Sequence, residues 1–210
     1  MSEFKGSENI SSGGIPEKGE ISGSYGFVIK PDGKTQEKAE ALARELAPDA
    51  EYHIKVPHIT LYHGRLDNLP LRTAKDILLE LKKHEHESFT LSPLEIYGGK
   101  FLFWNLQKTD VLRSMHSGAL KLATYLNREA VQRAVEEGLN MTPEELENVK
   151  RFGHPLVQER FTPHITLAYD SHGLHLPQGA TAEPWKMQVD KVVFAEMGKY
   201  GSIARVVDLQ

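Results

Sequence analysis

Pro57-His58-Ile59-Thr60-Leu61 returns letter for letter as Pro163-His164-Ile165-Thr166-Leu167, about half a chain further on. The spacing is too long for a solenoid, so the repeat implies two related halves, each delivering one copy. Both copies sit in alternating apolar and polar runs, the pattern of a half-buried strand. Successive strand side chains point to opposite faces. Ile59 and Leu61 then face one way, and His58, Thr60 and Tyr62 the other. In the second copy Ile165, Leu167 and Tyr169 share one face, and His164, Thr166 and Ala168 the opposite one. The apolar face belongs to a core. The histidine and threonine face is left to line solvent or a cleft.

Two imidazoles and two hydroxyls around one small volume suit phosphodiester chemistry. Histidine titrates near neutrality, so one ring can take a proton while the other gives one. The hydroxyls can hydrogen-bond the non-bridging phosphate oxygens. No metal is needed where protons are managed at both the attacking and the leaving oxygen.

With those residues in view, the sequence resembles the two-histidine (2H) phosphoesterases. That superfamily includes 2'-5' RNA ligase-like proteins and cyclic nucleotide phosphodiesterases. Its mark is a pair of H-x-[ST] motifs about a hundred residues apart; here both read HITL. The resemblance spans residues 24–210. It implies an α+β fold of two duplicated lobes, each a small, mostly antiparallel sheet backed by helices, with the motifs in a central groove. It also implies a small nucleotide or RNA end as substrate, and neither cofactor nor metal.

The rest of the composition narrows the field. A chain of 210 residues with formal charge −4 can bury a sizeable core but is no generic nucleic-acid coat. It has no cysteine, which removes disulfides, thiolate metal sites and a thiol nucleophile. The start lacks a basic-then-apolar signal pattern, and no apolar run approaches membrane-spanning length. A soluble, cytoplasmic monomer is expected.

In chain order, residues 1–23 read as a flexible tail, rich in Ser, Gly and Glu. A strand follows over Tyr25–Ile29. A helix capped by Thr35 runs to Ala47 with Ala39, Leu42, Ala43 and Leu46 on one stripe. The first PHITL strand closes at Gly64. A helix over Leu71–Lys83 carries Ala74, Ile77, Leu78 and Leu81. Strands at Phe89–Tyr97 and Phe101–Gln107 form a hairpin. A third helix spans Asp110–Leu126. Residues 128–152 read as a helical insertion, with a capping box at Thr142-Pro143-Glu144-Glu145. The second PHITL strand and two more, Met187–Glu196 and Ile203–Leu209, complete an α+β order.

His58 and His164 are thus the candidate acid and base, with no polarity assigned. Thr60 and Thr166 are the candidate phosphate donors. Tyr62 shares the His58 face. Phe103 and Trp104, in an aromatic run with Phe101, could stack a base. Lys100, Arg151 and Arg160 are candidate phosphate neighbours. The expected activity is metal-independent hydrolysis of a 2',3'-cyclic phosphate or a 2'-5' phosphodiester. The alternatives are the reverse, end-joining reaction and a nucleotide-binding module without turnover.

Overall fold

Period-two and period-3.6 apolar patterns fall where the strands and helices form. The computed structural model describes residues 19–137 and 141–209, so most of the expected tail lies outside the described residues. The chain runs β1 (Glu20–Pro31), α1 (Gly33–Leu46), β2 (Tyr52–His53), β3 (Ile59–Pro70), α2 (Leu71–Lys82), β4 (Ser88–Tyr97) and β5 (Phe101–Leu106). It continues through α3 (Asp110–Ala119), α4 (Arg128–Glu137), α5 (Pro143–Phe152), β6 (His164–Tyr169), β7 (Trp185–Met197) and β8 (Ile203–Val207). No described helix is long and apolar enough to cross a membrane.

Two expected boundaries move together. β1 begins at Glu20 rather than near Tyr25, and β3 continues past Gly64 to Pro70. The extra segments are each other's partners, with Glu20 paired to Pro70 and Ile21 to Leu69. Neither shows alternation, so only the pairing reveals them. The cap of α1 also differs from expectation. The Asp32 carboxylate accepts from the Thr35 backbone N–H at 3.0 Å, while the Thr35 hydroxyl, fully buried, accepts from the Trp185 indole at 2.9 Å. The capping box of α5 forms as read, and Gly153, at φ 68°, ends that helix in the left-handed conformation that favours glycine.

The strands form one antiparallel sheet that closes on itself. β1 pairs with both β3 and β7. β7 pairs with β4 over Trp185–Gln188 and with β1 over Val189–Glu196, so one strand serves both sides of the ring. β4, β5 and β6 complete the path, and β6 returns to β3 through the pair Ile59 and Ile165. These two isoleucines hold the same place in the two pentapeptides. The helical stripes cover the core: Ala74, Ile77, Leu78 and Leu81 of α2 are all buried, as are Leu112, Met115 and Ala119 of α3. Ile59, Leu61, Ile165 and Leu167 are at most 1% exposed. Burying each such side chain contributes about 1.5–3 kcal/mol, which leaves the histidine and threonine side of both strands to face away from this core.

Candidate active site

Both pentapeptides carry a β-bulge at their leucine. Across β1, Phe27 pairs with Tyr62 and Val28 with Thr60, leaving Leu61 without a partner. Across β5, Leu102 pairs with Ala168 and Phe103 with Thr166, leaving Leu167 unpaired in the same way. An extra residue in one strand shifts the alternation that follows it. Tyr62 and Ala168 therefore turn into the core, and His63 takes the groove side. This corrects the placement of Tyr62, which is only 2% exposed and donates its hydroxyl to the Phe152 carbonyl at 2.6 Å. Burial pushes that phenol well above its ordinary pKa. Gly26 permits the close approach: a Cβ there would lie 2.5 Å from the Cβ of His63 and from the Tyr62 carbonyl oxygen.

The same register sorts the aromatic run. Phe103 pairs with Thr166 and Trp104 with Ile165, and cross-strand partners share a face. Phe103 lines the groove. Trp104, expected as a stacking partner, is instead fully buried among the core side chains. Arg160 is held by Glu145 at 2.7 Å and Glu144 at 3.5 Å, and Arg151 lies over the Phe152 ring at 5.0 Å. Neither they nor Lys100 line the groove.

The groove is a cavity of about 300 Å³ that takes in Thr60, Thr166 and His164 together with His63, His154 and Phe103. Among the described residues its lining contains no Lys, Arg, Asp or Glu. His63 and His154 were not singled out in the sequence. His63 stands immediately after the alternating run, and only the bulge turns it inward. His154 follows the glycine that ends α5.

The two motif histidines are anchored alike. The Nδ1 of His58 lies 2.7 Å from the Val56 carbonyl oxygen, and that of His164 lies 2.7 Å from the Thr162 carbonyl oxygen. In the neutral His164 ring Nδ1 then carries the proton and Nε2 keeps its lone pair. Phe103 stacks on His164 with centroids 3.6 Å apart and planes at 17°. The other nitrogens differ. His164 Nε2 has no hydrogen-bond partner among the described residues. His58 Nε2 lies 3.0 Å from the carbonyl oxygen of Gly201, and the ring is 4% exposed. Gly201 ends the turn Lys199–Gly201, where Tyr200 has φ 59° and stacks on Tyr169 at 4.2 Å. Three of the four motif side chains thus line the groove, and His58 stands behind the turn.

Comparison with protein-family models and with curated proteins found no match. Solved structures share the architecture, among them the following two. A phosphoesterase matches at 17% identity over 90% of this chain and 97% of its own, with a TM-score of 0.51. LigT of E. coli, in complex with NADP+, matches at 15% identity over 89% of this chain and 95% of its own, also at 0.51. The chain has the LigT fold. The resemblance read from the paired motifs therefore holds at the level of fold.

Burial dominates the electrostatics of this groove. It pushes His164 down to about 4, helped by His58 and His63 and opposed by the Thr162 carbonyl. It pushes His63 to about 4 as well, with His58 adding to the effect. His154 falls well below its ordinary value for the same first reason. His58 is lowered by burial against the pull of the Val56 and Gly201 carbonyls. These rings are neutral at pH 7. For His63 and His164 the unfolded chain binds protons near pH 6.5 and the folded one only near 4, so their contribution to stability is full above about 6.5 and is lost as pH falls toward 4; His58 and His154 act in the same direction. The melting temperature should drop by on the order of 10 °C between pH 7.5 and pH 5. A thermal melt unchanged over that range would show that the rings protonate in the fold without cost.

Proposed function

We propose that the protein is a metal-independent phosphodiesterase of the two-histidine kind, acting on a 2',3'-cyclic phosphate or 2'-5' phosphodiester of a nucleotide or RNA end. The observation that carries this reading is the shared anchoring of His58 and His164. In both, a carbonyl two residues back anchors Nδ1 and a threonine lies two residues on; in His164 this leaves Nε2 as the free, working atom. The two bulges and the Ile59–Ile165 pair support the idea of duplicated halves. The NADP+ complex of LigT supports a nucleotide-sized ligand.

The two rings are not equivalent. His164 presents a lone pair to the groove and suits the base that takes a proton from water. His58 faces two carbonyl oxygens, and one neutral ring has a single proton for both. It is the better holder of a second proton and suits the acid that protonates the leaving oxygen. The Gly201 carbonyl must release Nε2 before that step. Thr60 and Thr166 donate to the non-bridging oxygens as their charge grows.

No group of three or more His, Cys, Asp or Glu placed to hold a metal ion occurs among the described residues. The test is a screen of 2',3'-cyclic mononucleotides and 2'-5'-linked dinucleoside monophosphates in EDTA. Turnover is expected to persist in chelator. Loss of activity in EDTA, restored by a divalent cation, would overturn the metal-independent mechanism. Product joined rather than cleaved at high concentrations of RNA ends would favour the reverse reaction.

A further inference from the structure

His63 and His154 lie in the groove but have no part in the mechanism above. Their rings pack edge to face, with centroids 4.8 Å apart and planes at 69°. His116 shows what a purely structural histidine looks like in this protein. Its Nδ1 lies 2.6 Å from the Leu61 carbonyl, its Nε2 accepts from the Gln158 N–H at 3.0 Å, and its ring stacks on Phe161 at 4.0 Å. Both of its nitrogens are used by the backbone. His154 uses one: its Nδ1 accepts from the Leu156 N–H at 3.1 Å, so in the neutral ring Nε2 carries the proton. His63 uses neither among the described residues. Three ring nitrogens of the pair are therefore left for something else, in a groove they share with His164, Thr60 and Thr166.

Strand order gives the pair a side. β6, with His164 and Thr166, lies between β3 and β5. His63 is on β3, whereas the aromatic wall of Phe101 and Phe103 is on β5, continued by Tyr97 of β4, which stacks on Phe103 at 5.3 Å. A phosphate seated on the threonines thus has an apolar, aromatic flank on one hand and a histidine flank on the other. The aromatic flank suits a flat base. The histidine flank offers a fixed donor at His154 Nε2 and a donor-acceptor pair at His63. Vicinal hydroxyls, each both donor and acceptor, are complementary to that set. Burial keeps both rings uncharged, which fits a neutral polyol better than a second anion.

We propose that His63 and His154 form a subsite for the hydroxyl-bearing second ribose of a linear phosphodiester, on the far side of phosphorus from the aromatic wall. This rests on the phosphodiesterase reading and narrows its substrate class to diesters with a group on each side. A 2',3'-cyclic phosphate fills only one flank, so the two substrates separate the subsite from the catalytic centre.

The experiment compares a 2'-5'-linked diribonucleoside monophosphate with a 2',3'-cyclic mononucleotide of the same base. Steady-state kinetics are measured for the parent, His63→Phe, His63→Leu and His154→Asn. The phenylalanine keeps a ring against His154 and removes both nitrogens; leucine, which also has no donor or acceptor, covers the case in which phenylalanine does not fold. Each variant should shift the ratio of kcat/KM for the linear over the cyclic substrate by about tenfold, the effect of one lost hydrogen bond, mostly through KM. An unchanged ratio overturns the subsite, whether both activities fall together or neither falls. Calorimetric binding of the same dinucleoside monophosphate reads the subsite without turnover. The variants should bind it about tenfold more weakly than the parent, and equal affinities overturn the proposal. A parent that binds the diester through these residues but cleaves neither substrate would sink the phosphodiesterase reading alone.

Discussion

Replacing His164 by alanine should lower kcat/KM by roughly 10²–10⁴, the usual contribution of one positioned acid or base. His58→Ala should lose a similar amount. Both follow from the shared anchoring, in which each Nδ1 is 2.7 Å from a carbonyl oxygen two residues earlier. That contact orients both rings, and in His164, where Nε2 has no other partner among the described residues, it also fixes the tautomer and leaves the chemistry to Nε2. The double variant should lose less than the product of the single losses, because an acid without its base has little left to assist. The two variants should differ in another respect. His164→Ala removes the ring stacked on Phe103 and opens the groove, whereas His58→Ala frees the Gly201 carbonyl behind it. Circular dichroism should show both variants folded. Full activity in a folded His164→Ala protein would remove the histidine pair from the mechanism.

Replacing Thr60 or Thr166 by valine should cost roughly 10²-fold in kcat/KM, by analogy with the loss of one oxyanion donor. Serine, which keeps the hydroxyl, should stay within about tenfold of the parent. Both hydroxyls line the groove, and neither has a hydrogen-bond partner among the described residues. The antiparallel register through Ile59 and Ile165 sets Thr60 across from His164 and Thr166 across from His58. On the proposed mechanism each threonine would hold the phosphate oxygen beside the other copy's imidazole. Charge builds on that oxygen as phosphorus becomes five-coordinate, so the donor gains strength in the transition state. Strand propensity is the competing reason for threonine here, and valine satisfies it equally well. Valine variants as active as the parent would leave two histidines working alone.

The order of the longer strands and helices (though not the two-residue β2), the apolar stripes of α2 and α3, the α5 capping box and the two H-x-T motifs were legible in the sequence. Each depends on residues a few positions apart, and local periodicity encodes such features directly. That is also why His58, His164, Thr60 and Thr166 could be singled out before any tertiary contact was known. What the groove contains was decided by contacts between distant segments. A bulge exists only relative to a partner strand, so alternation alone put Tyr62 in the groove and left His63 unnoticed. The register of β5 on β6 chose Phe103 over Trp104. Gly201 meets His58 across 143 residues of sequence, and His154 comes in on the turn after a helix. β7 closes the ring by pairing with β4 along its first part and β1 along the rest. Periodicity says which face of a strand is apolar. Which strand lies beside it, and in what register, is set by the packing of the whole core.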